Sequence, residues 1–377
     1  MNRPIRTVAV LAVACATVAC GGDDDGGGND FESTIGRIAA SAVEGDGDSS
    51  PELYYSDMAI RWRQLDLADA DAEARLERSP ELVVEAETFT IGPLMIERSL
   101  QAQLDETRTE VGFTAFDIDR EATVLQLPQS LSVAEVRVDA ETIDEAVRSD
   151  PVWSDDLEEV DYDDGSYYSW GEDGERPNVG RSGPFHGQLG RGGQLAIEGD
   201  GEAVTVVRAL STDEIEAALD AEAGHEPSAL DEGPLVPLVD AVGDGEVIQA
   251  FAVFEPLVFD TSRMTRTQIE EMIDEMVVVG RYRSIMVVEL LEKDDDTCTE
   301  ILLDFGDEDE AEDNIGAVEE FLSDGLSTRT RQPWSELLPN ATTEQRGEVI
   351  VVTVPGEGHF KAAFEGMISR DLFVTRG

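Results

Sequence analysis

The stretch Ala122-Thr123-Val124-Leu125-Gln126-Leu127-Pro128-Gln129-Ser130-Leu131-Ser132-Val133-Ala134-Glu135-Val136-Arg137-Val138-Asp139 decides the fold class. Ala122 to Leu127 and Leu131 to Val138 are rich in β-branched and aliphatic residues and read as two strands about Pro128-Gln129-Ser130. Asp139 then supplies a helix cap, and Ile143, Ala146 and Val147 share one helical face. The chain therefore runs strand, turn, strand, helix. The same order returns 72 residues on, where Val138–Val147 aligns without a gap on Leu210–Leu219, and Ser211 with Glu214 makes a capping box. Internal duplication and the general form of any strand entering a capped helix both explain a match of this length.

Working outward, Gln194 to Ile197 and Ala203 to Arg208 flank Glu198-Gly199-Asp200-Gly201-Glu202, a hairpin signal. Val247 to Phe254 reads as a strand, and Ile285 to Leu291 with Cys298 to Phe305 as another hairpin. Helices are expected from Thr265 to Met276, from Asp307 to Leu322 with Gly325 as the stop, and from His359 to Ile368. A strand is expected over Glu348 to Val354. Ahead of all this the pattern is helical: Phe31 to Ala42, a second helix opened by Pro51 and ended near Pro80, and a third over Pro93 to Thr107. The expectation is an α+β protein in which N-terminal helices precede antiparallel sheets with helices on one face, in two ferredoxin-like halves. Its parts would be a helical region at 31–112, a first α+β unit at 113–226, a linker at 227–243 and a second unit at 244–377.

Composition narrows the role. There are 83 acidic residues against 27 basic ones, a net charge of −56, and only Lys293 and Lys361 are lysines. Such a surface repels nucleic acid and anionic lipid, and suits high external salt, where self-repulsion is screened. The 41% hydrophobic content is that of a folded protein.

Before Cys20 run Arg3, Arg6 and an apolar stretch, Val8 to Ala14, too short for a permanent span. After it comes Gly21-Gly22-Asp23-Asp24-Asp25-Gly26-Gly27-Gly28, with no apolar side chain. The arrangement resembles the leader of bacterial lipoproteins, with Thr17 where that pattern usually has Leu. The resemblance implies a signal peptide at 1–19, cleavage before Cys20, lipid on its thiol and a flexible tether at 20–30. An exported protein would then be held by lipid on the outer face of the cell membrane or on the outer membrane. Cys15, after Ala12-Val13-Ala14, is a competing lipid site, and an ordinary secretory leader cleaved after Ala14 or Ala19 stays open. The stretch from Asp150 to Gly171 is also similar to uncharacterised secreted lipoproteins of high-GC bacteria, a likeness that implies no activity.

The internal segment that stands out is Arg176 to Gly193, glycine-rich, without an acidic residue, and holding Arg176, Arg181, His186 and Arg191. Free amides and guanidinium forks can grip a carboxylate or phosphate, so these four are the candidate anion or partner site. The competing reading makes the arginines counter-ions to acidic neighbours. Tyr168 and Trp170, just before, read as one buried face of a strand turning at Asp164-Gly165 or as a stacking platform.

Signatures of catalysis are missing. Gly180-Arg181-Ser182-Gly183 lacks nucleophile-elbow spacing, and His186, His225 and His359 are isolated. Asp46, Asp48 and Ser50 begin a calcium-loop pattern that fails at Pro51, and Asp161, Asp163 and Gly165 fail similarly. Cys298 alone offers no multi-cysteine zinc site and reads as a half-buried small side chain. No metal or cofactor is indicated. The expected role is binding or scaffolding at the cell envelope, with an envelope protein or glycan as partner. The alternative is an envelope glycan hydrolase whose carboxylate pair converges only in three dimensions.

Overall fold

The 122–138 hairpin forms: strand β2 (Ile118–Gln126) pairs antiparallel with β3 (Gln129–Val136). Asp139 caps helix α6 (Ala140–Ser149), accepting from the Thr142 amide at 2.9 Å. The computed structural model describes residues 30–44, 50–82, 89–163, 165–171, 178–199, 201, 203–258, 277–293 and 296–375. The helix expected over Thr265–Met276 lies outside the described residues.

The remaining strands are β1 (Glu52–Asp57), β4 (Leu157–Tyr162), β5 (Gly165–Trp170), β6 (Gly193–Glu198), β7 (Val204–Ala209), β8 (Glu246–Val253), β9 (Ser284–Leu291), β10 (Thr297–Asp304), β11 (Thr342–Arg346) and β12 (Val349–Pro355). All twelve join one antiparallel sheet in the order β11-β12-β10-β9-β8-β1-β2-β3-β7-β6-β5-β4. The α+β class holds. The two halves are not ferredoxin-like: β8 and β9, and likewise β1 and β2, are direct neighbours, whereas that motif interposes a strand.

The described helices are α1 (Asp30–Ile35), α2 (Ala40–Glu44), α3 (Met58–Gln64), α4 (Ala72–Pro80), α5 (Leu104–Val111), α7 (Thr212–Ala223), α8 (Val236–Asp240), α9 (Glu308–Asp324), α10 (Trp334–Leu337) and α11 (His359–Ile368). They cover both faces of the sheet, not one. Helices α1, α2, α7 and α8 pack with Leu53, Tyr55, Ala250 and Val288 on one face. On the other, α5 and α6 cover Ala134 and Val206, while α9 and α11 cover Phe251, Val287 and Ile301. The physical reason lies in β9 and β10, where every residue is buried. Their central stretches, Ile285–Val288 and Ile301–Leu303, are unbroken apolar runs that need cover on both sides, whereas alternation needs it on one.

A single plan is laid out twice about the β1/β8 junction. From that centre outward, β1, β2, β3, β7 and β6 match β8, β9, β10, β12 and β11 in chain order and position. Helices α6 and α9 leave the third strand of each set and lie on the same face. The first half alone inserts hairpin β4–β5, which lengthens the connection from its crossing helix to its outer strand beyond residues 325–341 of the second half. The repeat thus sets β3–α6 against β10–α9. The match at offset 72 instead compares α6 with α7, which lie on opposite faces.

Three further expectations change. The region 31–112 is not all helical: Leu53 and Tyr55 face one side of β1 and Tyr54 and Ser56 the other, a period of two, and Pro51 precedes a strand. In place of a third helix over 93–107 there is an extended segment, one tight turn at Arg98–Leu100, and α5. Residues 227–243 are no linker, because Leu235 and Leu238 are in the core and Ala40 donates to the Pro227 carbonyl.

Candidate functional site

Arg181, His186 and Arg191 stand on the inserted segment between β5 and β6; Arg176 lies outside the described residues. The segment is packed down against α5 and α6. The Phe185 amide donates to Glu110 at 2.8 Å and the Glu97 amide to the Pro184 carbonyl at 2.8 Å. Two glycines permit this closeness. A β-carbon on Gly183 would overlap the Glu110 carboxylate, and Gly190 has φ +55° with the Asn178 carbonyl against it.

His186 is buried in a box of Trp153, Trp170 and Phe185 rings, with Nε2 2.5 Å from Asp150 Oδ2. Asp150 also accepts from the Val152 amide at 2.7 Å, so the pair fixes the turn after α6. Arg181 lies 4.3 Å over the Trp153 ring and pairs with Asp156. Arg191 turns its Nε inward, where no described group accepts from it. Arg181 and His186 are therefore brought to one aromatic ring, each already engaged by a resident carboxylate. An incoming anion would share the Arg181 guanidinium with Asp156. Tyr168 and Trp170 are buried, as strand packing predicts, which leaves no exposed stacking platform.

Two other clusters join residues far apart in sequence. Arg120, at the start of β2, reaches Asp57 at 2.9 Å, Glu135 at 2.6 Å and Asp30 at 2.5 Å. Asp57 also caps α3 by accepting from the Ile60 amide, and burial pushes its carboxyl up against the opposing pull of Arg120. A cleft of about 120 Å³ opens here, lined by Asp30, Asp57, Arg63, Arg120, Glu246 and Val247 among others.

The second cluster holds a carboxyl pair. Arg37, in the turn between α1 and α2, lies 3.0 Å from Glu198 at the end of β6 and 2.9 Å from Glu222 on α7. Burial, then the hydrogen bond and charge of Glu222, push the Glu198 carboxyl up to about 8. A recess of about 280 Å³ beside the pair is lined by Tyr162, Asp163, Glu198, Asp220 and Glu222, among others. Sequence reading missed this pair because 83 acids hide any two. The signal present was positional: Glu198 ends an apolar strand, where an acid needs a partner.

No group of three or more His, Cys, Asp or Glu side chains suited to a metal occurs among the described residues. Cys298 is buried in β10, and burial pushes its thiol up to about 12, well away from reactivity. Neither a family model nor a curated protein matches the chain. Among solved structures, TP0453 in crystal form I is similar at a TM-score of 0.36 and 8% identity, over 89% of this chain and 97% of that one. At this TM-score the likeness assigns neither fold nor role.

Proposed function

We propose that the protein is exported, anchored by lipid on Cys20, and binds or scaffolds an envelope protein or glycan at the cell envelope. What supports the anchoring is the sequence about Cys20: Arg3 and Arg6, the short apolar stretch Val8 to Ala14, and the Gly/Asp run 21–28 that follows. Helix α1 begins at Asp30, with Phe31 and Ile35 already in the core. The nine intervening residues, ten Cα steps, reach at most roughly 35 Å, so lipid on Cys20 would hold the body close to a membrane. Among the described residues no helix is long and apolar enough to cross one. The charge of −56 speaks against a nucleic-acid partner. Cys20→Ser tests the reading: the variant should move from the membrane to the soluble exported fraction. A wild type that is soluble already, or a variant that stays membrane-bound, overturns it.

The second reading, a glycan hydrolase, draws support from Glu198, since a carboxyl that keeps its proton towards neutral pH can serve as a general acid. Its weakness is spacing. Glu198 and Glu222 converge on one guanidinium nitrogen, at 3.0 and 2.9 Å, whereas glycoside hydrolysis needs carboxyls about 5 Å or more apart with room for substrate between them.

A further inference from the structure

We propose that Arg37, Glu198 and Glu222 form a proton-dependent clasp that fastens the N-terminal helices to β6 and α7. The geometry places one cation between two carboxylates, 3.0 and 2.9 Å away, where the three elements meet. A single guanidinium balances one negative charge, so at this partly buried seam the second carboxyl is favoured in its protonated form, where it can donate to its neighbour. The side chains are a quarter to a third exposed, so the proton can exchange with solvent.

The surroundings supply no second permanent cation among the described residues. From the end of β4 come Tyr162 and Asp163; Tyr162 donates to Asp220 of α7 at 2.9 Å. Glu216 of α7 is taken by Tyr167 of β5, whose hydroxyl donates to it at 3.1 Å. Beyond α7, Glu226 adds charge near Tyr162. His225 lies 3.5 Å from Asp163 and 3.7 Å from Asp220, and helps only when protonated. Loss of the shared proton therefore leaves an excess of negative charge on the seam.

The sign follows. Glu198 holds its proton more tightly closed, up to about 8, than it would in an open, hydrated state, where an ordinary Glu range applies. The clasp is fully favourable below that range and weakens as pH rises through about 8. One proton gives a rise in the opening constant of about tenfold per pH unit across the window.

Hydrogen exchange on the full chain, corrected for intrinsic rates, tests this at pH 5.5 and pH 8. Amides of residues 30–44 should open with the stated slope in the wild type and in His225→Gln. Glu198→Gln, which is neutral at every pH yet still able to donate to Glu222, should lose this one-proton slope and keep only the shallower dependence contributed by other raised carboxyls such as Asp57. Arg37→Gln should open the segment at both pH values. Equal slopes in wild type and Glu198→Gln, or undiminished protection in Arg37→Gln, overturn the clasp. Should a variant fail to fold, carboxyl carbon NMR of the wild type decides. One Glu of the pair titrating far above the ordinary range supports the clasp, and two ordinary titrations overturn it.

Discussion

His186 and Arg181 touch the same indole, yet the ring environment gives them different weight. His186 fills the box of Trp153, Trp170 and Phe185 and meets a buried Asp150, whereas Arg181 lies about a third exposed over the outer side. His186→Ala leaves a cavity and strands a buried carboxylate, and should cost about 3 kcal/mol. Arg181→Ala removes a partly solvated pair and should cost under about 1 kcal/mol. Urea midpoints of the two variants measure the difference, and equal shifts would show that the box does not depend on its histidine. The sequence marks this loop by its glycines and arginines, and marks it correctly as unusual. It cannot show that Glu110, Asp150 and Asp156, from elsewhere in the chain, occupy the groups that seemed free. Contacts of that kind are set by the fold and leave no local pattern.

At the scale of elements, the segment 89–97 shows how an irregular stretch can lie over a sheet without stranding its backbone. The amides of Leu94 and Met95 donate to buried Glu121 of β2 at 2.7 and 3.0 Å, and Arg208 of β7 donates to the Met95 carbonyl at 2.7 Å. The Ile91 amide donates to Gln249 of β8 at 2.7 Å, and Gln249 donates to the Phe89 carbonyl. Burial raises the Glu121 carboxyl, so a neutral acceptor suffices there. Glu121→Gln should therefore be tolerated, and Glu121→Ala should cost about 2–4 kcal/mol by leaving two buried amides unpaired. Thermal melts compare them, and an alanine variant as stable as the glutamine one refutes this role. Pattern reading makes 93–107, which overlaps this stretch, a helix with Leu94, Leu100 and Leu104 inward. The acceptors that draw it straight stand on other strands. The hairpins, by contrast, were legible, since β2–β3, β6–β7 and β9–β10 are each fixed by residues adjacent in sequence.

For the whole molecule, protons and salt act in the same direction. Burial raises the carboxyls of Asp57, Glu110, Glu121, Glu289 and Asp304, and Glu198 stands at about 8. The folded state thus binds more protons than the unfolded chain between the ordinary carboxylate range and those raised values. Stability should fall as pH rises across that window, from about 4.5 to 8. The exposed, hydrogen-bonded Glu73, Glu81, Asp139 and Asp231 are lowered instead, and act oppositely only in stronger acid. A charge of −56 adds self-repulsion, which salt near 1 M screens to within about 3 Å. The melting temperature should be higher at pH 5.5 than at pH 8, and the gap should narrow in molar NaCl. A melting temperature independent of both would mean that the acids are too dispersed to interact.

The twice-laid plan also carries information about history and tolerance. Between its crossing helix and β11 the second half has no strand pair in the place of β4–β5; the connection 325–341, with Arg329 and Arg331, stands there instead. The hairpin with the segment after it is therefore where the two halves differ most, although its Tyr168, Trp170 and Phe185 are part of the core of the first half. It supplies Tyr162 and Asp163 to the recess beside Glu198, and Trp170 and His186 to the aromatic box. In a molecule that serves as its own reference, the unmatched part is where the halves have been free to specialise.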